Sequence, residues 1–158
     1  MTTIIDGTAG ITFPNSTVQA SAGQVLQVVN ATTSTEASSS SATFADTGLT
    51  ASIAPKFATS KILVLVSQNG VEKETNNNGV NLQLVKNSTV ISQIAVAASF
   101  TNSTGTSNTS SSFSYLDSPA TTSSTIYKTQ FASNGGTSLV KVQLFSNVST
   151  ITLLEIAA

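Results

Sequence analysis

The side chains able to do acid–base or nucleophilic chemistry are few. The carboxylates are Asp6, Glu36, Asp46, Glu72, Glu74, Asp117 and Glu155, and the cations are all lysines: Lys56, Lys61, Lys73, Lys86, Lys128 and Lys141. Histidine, cysteine, tryptophan and arginine are absent. Histidine is the side chain whose ordinary pKa lies closest to neutrality, and neither a Ser–His–Asp nor a Cys–His relay can be built without it. A Ser–Lys dyad is open on composition alone, but no serine stands in the G-x-S-x-G elbow of an exposed nucleophile. Glycoside hydrolysis needs two facing carboxylates. Only Glu72 and Glu74 are close in sequence, flanking Lys73 in E-K-E-T-N-N-N, which reads as a solvated loop tip. That stretch is rich in oxygen but lacks the D-x-[DN]-x-[DN]-G spacing of a calcium loop. No catalytic residue, metal or cofactor is expected, so the chain is expected to be no enzyme and to act through its surfaces.

Length and composition point the same way. The 158 residues suit one domain with a core of its own. About a third of them are serine or threonine, 39% are hydrophobic and only 8% are charged, for a net charge of −1. Mean hydropathy is +0.19, unlike a disordered chain, which combines low hydrophobicity with high net charge. The lysines are scattered, and nucleic-acid binding needs clustered cations, so that partner is excluded. Net charge near zero favours association. The N-terminus shows no basic stretch followed by an apolar one, so no signal peptide is expected. The longest apolar runs, such as 62–66, are far short of a membrane span, so no insertion is expected.

Strand-like segments alternate with turns rich in Gly, Asn, Ser and Thr. Residues 1–23 read as an extended N-terminal arm punctuated by Gly7, Gly10 and Pro14. Residues 24–158 read as the folded domain, with strands over 24–30, 42–55, 61–68, 80–86, 90–98, 113–118, 125–133, 139–145 and 150–157. The run KILVLVSQ (61–68) has the composition of a strand buried on both faces. Segments 80–86 and 90–98 form the clearest hairpin, and Asn134-Gly135-Gly136 marks a tight turn. Asp117, before Ser118-Pro119, is expected to accept backbone N–H bonds and fix a turn. The expected fold class is all-β: an antiparallel β-sandwich, a jelly roll of about eight strands. The polar stretches 32–41, 69–79 and 100–112 read as loops. Glu72, Glu74, Asn77, Asn102 and Asn108 are the candidate exposed recognition residues, because contacts concentrate on loops held by a scaffold.

Two segments carry a resemblance. ITFPNSTVQASAGQVLQVVN (11–30) resembles a linker frequent in tail-fibre and other virion proteins of bacteriophages, especially cyanophages, matching at Ile11, Phe13, Pro14, Gln19, Val25, Leu26 and Val28 among others. FSYLDSPATTSSTIYKTQFAS (113–133), with the terminal ITLLEIAA (151–158), is similar to the C-terminal part of such proteins. The resemblance implies a homotrimeric jelly roll on the surface of the phage particle. It would dock to other virion proteins, of capsid or tail, through its arm. Tyr115, Asp117, Pro119, Tyr127, Leu153 and Ile156 are then candidates for subunit contacts or turns. Two roles follow: a tail-fibre-type adhesin that binds a host glycan or surface protein, or a capsid decoration (cement) protein. A secreted C1q/TNF-like binding module is the alternative.

Overall fold

The computed structural model describes residues 24–158 and, before them, the backbone of three short strands: β1 (Ile4–Asp6), β2 (Gly10–Thr12) and β3 (Val18–Gln19). These three pair with one another as a small antiparallel sheet. The arm segment is therefore extended backbone, but it folds back on itself in its described parts.

The body is built from β4 (Val25–Thr33), β5 (Ala37–Ser39), β6 (Ala45–Ile53), β7 (Lys61–Lys73), β8 (Asn78–Lys86), β9 (Thr89–Thr101), β10 (Ser107–Asp117), β11 (Thr125–Ser133), β12 (Val140–Val142) and β13 (Ser149–Ile156). One sheet has the order β6-β11-β8-β9. In the other, β10 lines one edge of β7, while β13 and β12 follow each other along its opposite edge. Beyond them lie β4 and β5 respectively. Counted as interrupted single strands, β4/β5 and β12/β13 bring the total to eight. Numbered along the chain, the sheets then read 1-8-3-6 and 2-7-4-5. Every connection but the β8–β9 hairpin crosses between sheets, and the result is a jelly-roll sandwich.

Period-two alternation supplies the core. Ile62, Val64 and Val66 of β7 point inward with Leu49, Ala51 and Ile53 of β6, Leu84, Tyr127, Ile151 and Leu153. A second cluster, with Val71, Val80, Leu82, Phe131, Val140 and Val142, fills the other end. Between them lies a layer of buried polar side chains drawn from both sheets: Thr47, Gln68, Thr129, Gln143 and Ser149. Thr47 and Thr129 hydroxyls lie 2.6 Å apart, and the Thr129 hydroxyl donates to Gln68 Oε1 at 3.0 Å. Gln68 Nε2 donates to Ser149 Oγ at 3.1 Å. The Gln143 amide, oriented by its partners, accepts from Gln68 and Ser149 and donates toward the carbonyls of Thr35, Val142 and Thr47.

Several polar stretches expected as loops are strand. β4 continues to Thr33, and Ala37–Ser39 forms β5. β7 runs through Lys73, β9 reaches Thr101, and β10 begins at Ser107. Serine and threonine occupy the outer faces of these strands, so the backbone pairs without an apolar alternation to betray it. The strand expected over 139–145 stops at Val142 and gives way to a short 3₁₀ turn, Leu144–Ser146. Gly70 explains the break: at φ +60 it lies so close to the Leu144 backbone that a Cβ would collide with it. The run 62–66 is not buried on both faces in the single chain, since Leu65 is 40% exposed.

Replacing Thr129 by valine keeps the shape but leaves Gln68 Oε1 without its donor. Unfolding in urea should show a loss of about 1–3 kcal/mol. An unchanged midpoint would mean that the polar layer does not hold the sheets together.

Candidate assembly surface

The outer face of the sheet containing β7 changes character along its length. Directly paired residues share a face, and the ladders align Val28 of β4 with Leu154 of β13, Leu154 with Leu63 of β7, and Leu63 with Leu116 of β10. These four make an apolar row across the whole sheet. Leu65 lies beside the row, and Val25 and Ile156, which pair with each other, lie on its other side. Val28 is 58% exposed and Leu116 50%. The next rows, Asn30–Thr152–Leu65–Ser114 and Thr32–Thr150–Ser67–Ser112, carry no charge. Lys61, paired with Ile156, is the one charge at the apolar end of this face among the described residues.

The predicted contact residues divide. Val25, Leu26, Val28 and Ile156 do lie in or beside this band on β4 and β13. Ile11 and Gln19 pair with each other in the small sheet, whereas Phe13 and Pro14 lie outside the described residues. Tyr127 and Leu153 are fully buried in the core and cannot meet another subunit. Both sit at inward positions of strands whose outward neighbours, Ile126 and Leu154, are accessible. Tyr115 packs half-buried against the core and stacks on Phe113, their centroids 6.4 Å apart. Pro119 is half-buried in the β10–β11 connection.

Asp117 has another role than fixing its own turn through backbone bonds. Its carboxylate is buried and accepts from the Tyr127 hydroxyl at 2.6 Å and from Lys86 Nζ at 2.9 and 3.0 Å. It therefore staples β10 of one sheet to β8 and β11 of the other. Burial, then the Asp117 hydrogen bond and charge, pushes the Tyr127 phenol far above its ordinary value.

The recognition residues also divide. Glu72 is not on an exposed loop: it is a β7 residue, only 6% exposed. Burial pushes its carboxyl upward against the opposing charge of Lys141, with Glu74 and Glu36 adding to the rise. Half-buried Glu74 is bound by Lys141 Nζ at 2.5 Å. Ser138 and Lys141 have S-x-x-K spacing, but the ammonium is taken by these two glutamates. Lys73 is buried, and its Nζ donates to the carbonyls of Ser103 at 3.0 Å and Gly105 at 2.7 Å, holding the β9–β10 loop. No group of three or more His, Cys, Asp or Glu side chains placed to hold a metal ion occurs among the described residues. Asn77, in a left-handed turn at φ 51, Asn102 in the β9–β10 loop and Asn108 on β10 are exposed.

Glu155 was not singled out from the sequence. It lies in an apolar run, yet it is completely buried at an inward position of β13. It accepts from Gln27 Nε2 at 2.6 Å and from the backbone N–H of Lys56 at 2.7 Å, tying the β6–β7 loop to the sheet edge. The leucines facing outward could have been found by taking 62–66 as two alternating faces.

Comparison with protein-family models and with curated proteins returns no match. The class the geometry defines is that of a jelly-roll sandwich with a sparsely charged, partly apolar outer face.

Burial works against the Glu155 carboxylate, but its hydrogen bonds outweigh that and hold its pKa below the ordinary 4.5. A depressed native pKa gives stability that is present above the unfolded value and lost as pH falls through the native one. Glu155→Gln should therefore lower the thermal midpoint at neutral pH. The gap from the parent protein should narrow between neutral pH and the pH, below the usual carboxylate range, at which Glu155 protonates in the native state. An equal gap at both pH values would contradict this.

Proposed function

We propose that this protein is a structural subunit of a phage particle surface, a homotrimer assembled through the apolar end of the β7 sheet. The observation that carries the reading is the row Val28–Leu154–Leu63–Leu116, which crosses all four strands with no charge in it. Singly exposed apolar residues are ordinary, but a contiguous apolar patch marks an interaction site. The occupant we assign is a further copy of this chain. The patch is neutral and flanked by serine and threonine, and the net charge of −1 offers little repulsion between copies. The virion setting rests on the resemblance of 11–30 and 113–133 to phage virion proteins. The paired N-terminal strands are the part that docks to capsid or tail. Adhesin and decoration protein differ in copy number: hundreds per particle for decoration, a few dozen or fewer for a fibre.

Light scattering on the eluting protein should give a mass three times the 16.1 kDa of one chain. Val28→Asp and Leu116→Asp, both on exposed sites, should each yield monomers with unchanged circular dichroism. A wild-type monomer, or variants that remain trimeric, would refute the assembly.

A further inference from the structure

The opposite end of the same outer face holds a groove of about 540 Å³, within the ~300–1,000 Å³ of small-molecule sites. Asn69 and Gly70 of β7 line it, with Asn108 and Ser110 of β10 on one side and Phe145 and Asn147 of the 143–148 turn on the other. It lies about 20 Å from Leu63, six residues along β7 at ~3.3 Å each.

Three features define what would fit. No residue lining the groove is charged among the described residues. Glu72 pairs with Asn108 in the ladder but is buried and faces Lys141. An anion would find no cation there, and a cation no free carboxylate. Second, the side chains of Asn108 and Ser110 have no hydrogen-bond partner among the described residues. Asn147 spends its Nδ2 on the Leu144 carbonyl at 2.7 Å, leaving its side-chain oxygen to accept. Third, Phe145 is 81% exposed, the most exposed of the large hydrophobic residues described. Its backbone holds it there: Gln143, Phe145 and Ser146 all adopt left-handed φ values of 56–58°. Such strain persists only where its surroundings over-determine it. Here the buried Gln143 amide, the Gln143 N–H bond to the Asn69 carbonyl at 2.9 Å and the contact with Gly70 do so.

We propose that this groove binds a neutral saccharide. The Phe145 ring covers the apolar C–H face of one sugar unit, as an aromatic side chain covers other apolar surface. Asn108, Ser110 and Asn147 exchange hydrogen bonds with its hydroxyls. A purely apolar ligand would leave those three groups unpaired, which is costly.

The test is an NMR titration of the isotopically labelled protein. The probes are linear trisaccharides of glucose, mannose, galactose and N-acetylglucosamine, with 3′-sialyllactose and glucose 6-phosphate as charged controls. At least one neutral probe should shift the amides of residues 108–110 and 145–147 with a millimolar Kd. Phe145→Ala should weaken that probe at least tenfold, whereas Phe145→Tyr should retain it. The proposal is overturned if no neutral probe shifts those amides, if the charged probes bind them better, or if Phe145→Ala binds as well as the parent. Loss of trimer mass in Phe145→Ala without any saccharide binding would make the ring an assembly contact and overturn it too. A wild-type monomer would refute the trimer while leaving this test intact.

Discussion

The structure turns on one directed chain of hydrogen bonds through the middle of the sandwich. The Leu49 N–H donates to Thr47 Oγ1, and the Thr47 hydroxyl meets Thr129. Thr129 donates to Gln68, and Gln68 and Ser149 converge on Gln143. Each member is buried, so each bond left unmade would cost a desolvated group rather than a weak contact. The chain admits one alignment of the two sheets. A one-residue slip of β7 or β13 would put Gln68 or Ser149 outside and a neighbour in its place. Two apolar clusters alone would tolerate such sliding far better.

That alignment decides what the outside offers. With Ile62, Val64 and Val66 inward, Leu63 and Leu65 must face out. The ladders then complete the row through Leu154, Leu116 and Val28. At the far end, the same Gln143 that closes the polar chain fixes the turn carrying Phe145. Apart from Lys61 beside the apolar row, most of the lysines are engaged within the fold. Lys86 goes to Asp117, Lys128 to Asp46, Lys141 to Glu74, and Lys73 to loop carbonyls. The low charge of the sequence is thus lower still at this face.

The eight-stranded sandwich was legible because its core strands alternate and its tight turns carry their signatures. Asn87 at φ 54 closes the β8–β9 hairpin, and Gly136 at φ 74 sits in the turn after β11. The polar strands were not legible. Residues 107–112 pair with β7 through serine, threonine and asparagine alone, a composition shared with loops. Nor could local pattern show that Glu72 and Glu155 are buried, since their partners Lys141 and Gln27 lie 69 and 128 positions away along the chain. The interrupted β12–β13 edge depends on one close approach, between Gly70 and Leu144, that no periodicity encodes. Tyr127 and Leu153 were misplaced for the opposite reason: in a strand, moving one residue changes outside to inside.

The central claim is that the fold turns an apolar row outward for another copy of the chain to cover. Methyl relaxation by a soluble paramagnetic agent tests it most directly. Val28 and Leu116, exposed in the single chain, should be shielded in the protein at assembly concentration, while Val96 and Val148, exposed elsewhere on the surface, relax strongly. Equal relaxation of all four would contradict the account.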